Sequence, residues 1–180
     1  MILQVLVPLA HGFEEIEATC PIDLLRRAEV EVVTASCEED LTVIGRSGIP
    51  VRADRFLADL SAEKFEMLVL PGGPAVFEMR KKPVYIELIK SFDSQDKPIG
   101  AICAAPVLLH DAGLLENTSF TAHSTMVDEL EMMRDDQAVV IDGRFITSRG
   151  AGTAVEFGLA LVNYLCGEVK ASQIRKSIHA

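Results

Sequence analysis

Short apolar runs alternate with amphipathic stretches along the 180 residues. Residues 2–9 (Ile-Leu-Gln-Val-Leu-Val-Pro-Leu) are nearly all apolar, the pattern of a strand covered on both faces. Residues 15–28 place apolar side chains at helical spacing and end in Arg26-Arg27, cations that suit the negative end of a helix. Glu31–Ser36 reads as a second strand. Residues 37–55, with Gly45, Gly48 and Pro50, read as turn-rich, with a small hairpin or edge strands. Met67–Leu70 is a further central strand, closed by Pro71-Gly72-Gly73. Pro83, whose missing N–H costs nothing in a first turn, opens a helix running to about Ser94. Residues 98–102 form another strand, and residues 104–112 a helix stopped by Gly113. Residues 119–122 and Phe145–Ser148 read as later strands, and residues 139–141 reverse at Asp142-Gly143 as a hairpin. Residues 153–165 form a long apolar helix containing Glu156, and residues 168–178 a last short one.

This β-α-β alternation specifies an α/β fold, a doubly wound, mainly parallel sheet with helices on both faces. No repeat or linker divides the chain, so residues 1–180 are expected to form one domain. In such sheets ligands bind beyond the carboxyl ends of the strands. The loops of interest are therefore residues 11–17, 71–74, 103–106, 123–125 and 149–153.

Composition narrows the partners. The formal charge is −10, from 17 Lys and Arg against 27 Asp and Glu, and no basic cluster stands out. Nucleic acid and anionic membrane are disfavoured as partners. No apolar run approaches the ~20 residues that span a bilayer. The N-terminus lacks a basic leader and a small-residue cleavage site and reads as a strand, so a cytoplasmic protein is expected. The four cysteines, Cys20, Cys37, Cys103 and Cys166, contain no C-x-x-C pair, which argues against zinc and against a redox couple of that type. No metal site is expected.

Cys103 stands apart from the other three. It lies in Pro98-Ile-Gly-Ala-Ile-Cys103-Ala-Ala-Pro106, where a strand pattern runs into a helical one. A thiol on such a turn lies near the free N–H groups of a helix start, which favour thiolate and lower its pKa. The same strand–nucleophile–helix elbow serves α/β hydrolases. A small free cysteine is also commonly buried as a plain hydrophobe, and Cys20, Cys37 and Cys166 read that way.

The post-strand loops carry a family resemblance. Gly12-Phe-Glu-Glu-Ile-Glu17-Ala, Leu70-Pro-Gly-Gly73, Ala101-Ile-Cys103-Ala-Ala-Pro106, Thr121-Ala-His123 and Gly150-Ala-Gly-Thr153-Ala-Val-Glu-Phe157 occur in this order over nearly the whole chain. In order and spacing the chain resembles the DJ-1/PfpI (ThiJ) superfamily, with the first motif and the elbow fitting its DJ-1-like branch. The resemblance implies a flavodoxin-like fold, a homodimer, and a nucleophile at Cys103 that oxidises to sulfinic acid. It implies that Glu17 reaches the thiol, that the Gly73 and Ala104 N–H groups form an oxyanion hole, and that His123 lies near the sulfur. Arg27 would reach the site of a partner copy and help bind anions there, and Glu15 would stand in the shell around the site or bind substrate.

Several of these roles can be argued from chemistry. A carboxyl beside a thiolate feels a like charge and partial burial, so the pKa of Glu17 should rise, and once protonated it can donate to sulfur and shuttle protons. Backbone N–H pairs stabilise developing oxyanions, and an imidazole titrates near neutrality. The bland readings are that Glu14, Glu15 and Glu17 are ordinary first-turn acids, that Pro-Gly-Gly is only a turn, and that Arg27 is a helix-terminal surface charge. Glu14 is assigned no more than that.

Two departures matter. Arg46-Ser47 reverses the Ser-Arg order common in the branch, and Arg52 stands where some relatives carry an interface cysteine. Peptidases of the superfamily place histidine directly after the nucleophile, where this chain has Ala104, and an amidotransferase would need a histidine beside Glu156, where there is none. Two readings remain. One is a cofactor-independent enzyme acting on α-oxoaldehydes, either a glyoxalase converting methylglyoxal to lactate or a deglycase acting on a glycated protein. The other is a redox sensor or chaperone signalling through oxidation of Cys103.

Overall fold

The computed structural model describes residues 3–180. The apolar runs of the sequence become a seven-stranded sheet in the order β5-β2-β1-β6-β7-β9-β8. These strands are β1 (Gln4–Leu9), β2 (Glu31–Ser36), β5 (Arg55–Phe56), β6 (Met67–Leu70), β7 (Ile99–Ile102), β8 (Val139–Asp142) and β9 (Phe145–Ser148). All pairings are parallel except the β8–β9 hairpin at one edge. The central strands β6, β7 and β9 are buried along their whole length, as their unbroken apolar or small-residue runs require. A separate antiparallel pair, β3 (Thr42–Ile44) with β4 (Pro50–Arg52), is the small hairpin expected between residues 37 and 55.

Two helical layers cover the sheet. On one side α1 (Glu15–Arg27) packs against α5 (Ala154–Cys166), with α6 (Glu168–Ser177) beside α5. The approach of α1 and α5 is close because position 158 is glycine: a Cβ there would lie 2.6 Å from Leu24 Cδ1. On the other side α3 (Pro83–Asp93) packs against α4 (Pro106–Asp111), preceded by the short α2 (Ala75–Met79). This is the expected flavodoxin-like α/β architecture, with helices on both faces.

The structure corrects the sequence reading in three places. Residues 119–122 join no sheet: the Thr121 N–H donates to the Thr147 side chain and its hydroxyl to the Arg134 carbonyl, so side-chain bonds stand where a strand ladder was expected. The helix expected from residue 104 begins at Pro106, because residues 103–105 are spent on the turn. The first strand begins at Gln4, and Ile2 lies outside the described residues. No helix among the described residues is long and apolar enough to cross a membrane.

Candidate functional site

The β7–α4 turn places Cys103 at φ +66°, a left-handed conformation that costs a residue with a Cβ roughly 1 kcal/mol or more. Neighbouring strands and loops hold it there. The Cys103 N–H donates to the Ser148 carbonyl at 2.9 Å, continuing the β7–β9 ladder, and the Cys103 carbonyl accepts the His123 N–H at 2.9 Å. The elbow is thus fixed from both sides, with the half-buried thiol at the carboxyl ends of the strands.

Glu17 comes to the thiol from the first turn of α1. Glu14 caps this helix: its carboxylate accepts the Glu17 N–H at 2.8 Å. The Glu14 N–H donates to the Gly72 carbonyl at 3.0 Å, and the Gly72 N–H donates to Glu17 Oε2 at 3.0 Å. This reciprocal pair locks the start of α1 to the turn after β6. Glycine at position 72 leaves the needed space, since a Cβ would fall 2.5 Å from Glu17 Oε2 and 2.7 Å from Cys103 Cβ. Gly73 adopts φ +93°, and a Cβ there would strike the Gly12 carbonyl oxygen at 2.5 Å. The turn after β6 is therefore shaped by lack of side chains.

The Glu17 carboxyl and the Cys103 thiol hydrogen-bond to each other. Burial pushes Glu17 up to about 7; the thiol hydrogen bond opposes the rise, the nearby Glu14 charge adds to it, and the Gly72 and Ala151 N–H groups oppose it. Burial, the charge of Glu17 and the hydrogen bond to it push the Cys103 thiol up to about 12, against the pull of the Ala104 and Gly73 N–H groups. The expectation that the helix start would lower this pKa is therefore corrected: α4 begins three positions later, and desolvation with a facing carboxylate outweighs two backbone donors. Protonating Glu17 removes its charge, and those two N–H groups are then free to favour thiolate.

His123 is the cap of a short helical turn at Ser124–Met126. The Thr125 N–H donates to His123 Nδ1, which leaves Nε2 to carry the proton of the neutral ring. The other edge of the ring faces Gly150: a Cβ there would lie 3.3 Å from His123 Cδ2 and 3.7 Å from Glu17 Oε1. Glu17, Gly73, Cys103, Ala104 and His123 are thus brought together.

Glu15 and Arg27 are not part of that group. Glu15 is buried, but its Oε1 accepts the Ser47 N–H at 2.7 Å, so it fastens the turn between β3 and β4. Desolvation acts against its charge, and hydrogen bonds from its own N–H, Ser47 and Ile49 outweigh that and hold it below the usual carboxylate range. Arg27 is at the opposite end of α1 from Glu17, roughly 15 Å along the axis, and pairs with Asp23. Sequence reasoning missed Glu14 and Gly72. The capping signal of an acid three residues before Glu17 was present for the first, whereas the second depends on a contact across 55 positions. Among the described residues no group of three His, Cys, Asp or Glu side chains could hold a metal ion.

The chain resembles known proteins over nearly its whole length. Residues 3–164 match the model of the DJ-1/PfpI family. The chain is 37% identical over 177 residues to Protein DJ-1 homolog B of Arabidopsis thaliana, covering 97% of this chain and 40% of that protein. The chain thus spans well under half the length of that plant relative. It is 33% identical over 168 residues to Glutathione-independent glyoxalase DJR-1.2 of Caenorhabditis elegans, covering 92% of this chain and 89% of that one. Among solved structures, Drosophila melanogaster DJ-1beta superposes with a TM-score of 0.94 at 34% identity, over 100% of this chain and 99% of that one. The chain belongs to the DJ-1/PfpI family.

Proposed function

We propose that the protein is a cofactor-independent cysteine enzyme that converts small α-oxoaldehydes to 2-hydroxy acids, methylglyoxal to lactate being the simplest case. The observation that carries this reading is the buried Glu17 carboxyl, poised near neutrality and hydrogen-bonded to the Cys103 thiol. A relative named as a glutathione-independent glyoxalase supports it.

The chemistry balances without an external oxidant. The Cys103 sulfur adds to the aldehyde carbon as its proton passes to Glu17, and the Gly73 and Ala104 N–H groups beside the sulfur steady the alkoxide. Return of that proton gives a hemithioacetal. Loss of the aldehyde C–H proton to Glu17, and protonation of the neighbouring carbonyl carbon, oxidises the first carbon and reduces the second. The product is a thioester of the 2-hydroxy acid, and water cleaves it to free acid and thiol. His123 would assist at the second carbonyl oxygen, its Nδ1 accepting the Thr125 N–H and leaving Nε2 to donate. Early glycation adducts on proteins present a related carbon and would enter by the same sulfur addition.

The test is methylglyoxal consumption with lactate detection, comparing wild type, Cys103→Ser and Glu17→Gln. Many turnovers per chain, abolished by the first substitution and reduced at least a hundredfold by the second, are expected. Consumption of only one equivalent would overturn the enzyme reading and favour redox signalling through Cys103.

A further inference from the structure

Next to the Glu17–Cys103 pair lies a cleft of ≈ 490 Å³, lined by His123, Ser124, Met133, Arg149, Gly150 and Thr153 among others. It meets the pair at Gly150, whose Cα hydrogen points between the His123 ring and Glu17 Oε1. Arg149 follows β9 directly, so the ladder that fixes the Cys103 elbow also fixes the root of this side chain. One of its amino groups donates to the Asp135 carbonyl at 2.9 Å. Among the described residues, no carboxylate forms an ion pair with it. The neighbouring arginine differs: Arg134 pairs with Asp136. A guanidinium held by one backbone bond, with no carboxylate paired to it, is free to take an anion entering the cleft.

We infer that Arg149 is a specificity-determining residue that draws carboxylate-bearing electrophiles to Cys103; within the reaction proposed above, these are α-oxoaldehydes with a carboxylate at the far end. This rests on Cys103 being the reacting group. A single negative charge fits better than a phosphate dianion, because one guanidinium amino group is already committed and Asp135 lines the cleft. Recognition at the far end leaves the aldehyde free to reach the sulfur beyond Gly150.

Two measurements test it. The first compares alkylation of Cys103 by iodoacetate and by iodoacetamide, near-isosteric reagents differing in charge, followed by mass spectrometry of the Cys103 peptide. The iodoacetate to iodoacetamide rate ratio should fall about threefold to fivefold in Arg149→Gln, and Arg149→Lys should keep most of it. The second compares kcat/KM for 4,5-dioxopentanoate with that for methylglyoxal, and this ratio should fall likewise. An alkylation ratio equal in wild type and Arg149→Gln overturns the inference. A ratio that falls while neither aldehyde is turned over supports Arg149 steering and overturns the enzyme reading instead.

Discussion

Because Glu17 and Cys103 each shift the other, neither has an independent titration. The first proton leaves the pair near pH 7, and the singly charged state that remains includes a form with thiolate beside protonated carboxyl. Alkylation of Cys103 by iodoacetamide should therefore rise with a midpoint near 7 and level off well below the ordinary thiol range. In Glu17→Gln that step should disappear. A single rise centred at pH 9 or above in wild type would sink this account. The same shift has a consequence for folding. A carboxyl raised in the folded state adds stability that is full below its ordinary value of 4.5 and is lost as pH climbs through about 7. Wild type should lose up to about 3 kcal/mol between pH 5 and pH 8 from this group, and Glu17→Gln should lose less, as read from Tm at each pH. The elbow cysteine was legible in the sequence, because a strand pattern running into a helical one is local, whereas Glu17 stood out from Glu14 and Glu15 only through the family resemblance. The direction of the thiol pKa was not legible, since it is set by burial and by a carboxylate from a distant helix.

At the level of elements, α1 matters most, because its first turn carries both the cap and the site carboxyl. Glu14 performs two tasks there that can be separated by substitution. Glu14→Ala should cost about 1 kcal/mol through loss of the cap. Glu14→Gln keeps an acceptor for the Glu17 N–H but removes the charge that helps raise Glu17. Its acid limb of turnover should therefore move to lower pH, and an unmoved limb would show that the Glu14 charge does not reach the site. The long strands and helices were readable from apolar runs and helical spacing. The short ones were not: β5 has two residues and α2 five, too few to show a period. Residues 119–122 failed for another reason, since their alternation suits a strand but Thr147 supplies a hydroxyl where a ladder partner would be.

Across the whole molecule, the exposed segment from Ser124 to Asp136 is tied down at few points. Arg80, at the end of α2, bonds both Asp111 at the end of α4 and Glu129 within that segment, and its side chain is 25% exposed. Such a shared, partly buried ion pair is stronger than a surface one. Arg80→Met should raise hydrogen exchange and proteolysis at residues 127–136 while β6 and β7 stay protected. Equal exchange in both proteins would mean that local backbone bonds suffice.

The left-handed turn at Cys103 sets a limit on how this protein can be improved. Glycine accepts φ +66° freely, whereas alanine keeps the Cβ conflict, so Cys103→Gly should be more stable than Cys103→Ala by about 1 kcal/mol in denaturant titration. Selection for thermal tolerance alone would then drift toward glycine at the one position whose sulfur carries the proposed chemistry. Retention of cysteine there would mark continued use, and a glycine in an otherwise similar chain would mark a protein that had exchanged activity for durability.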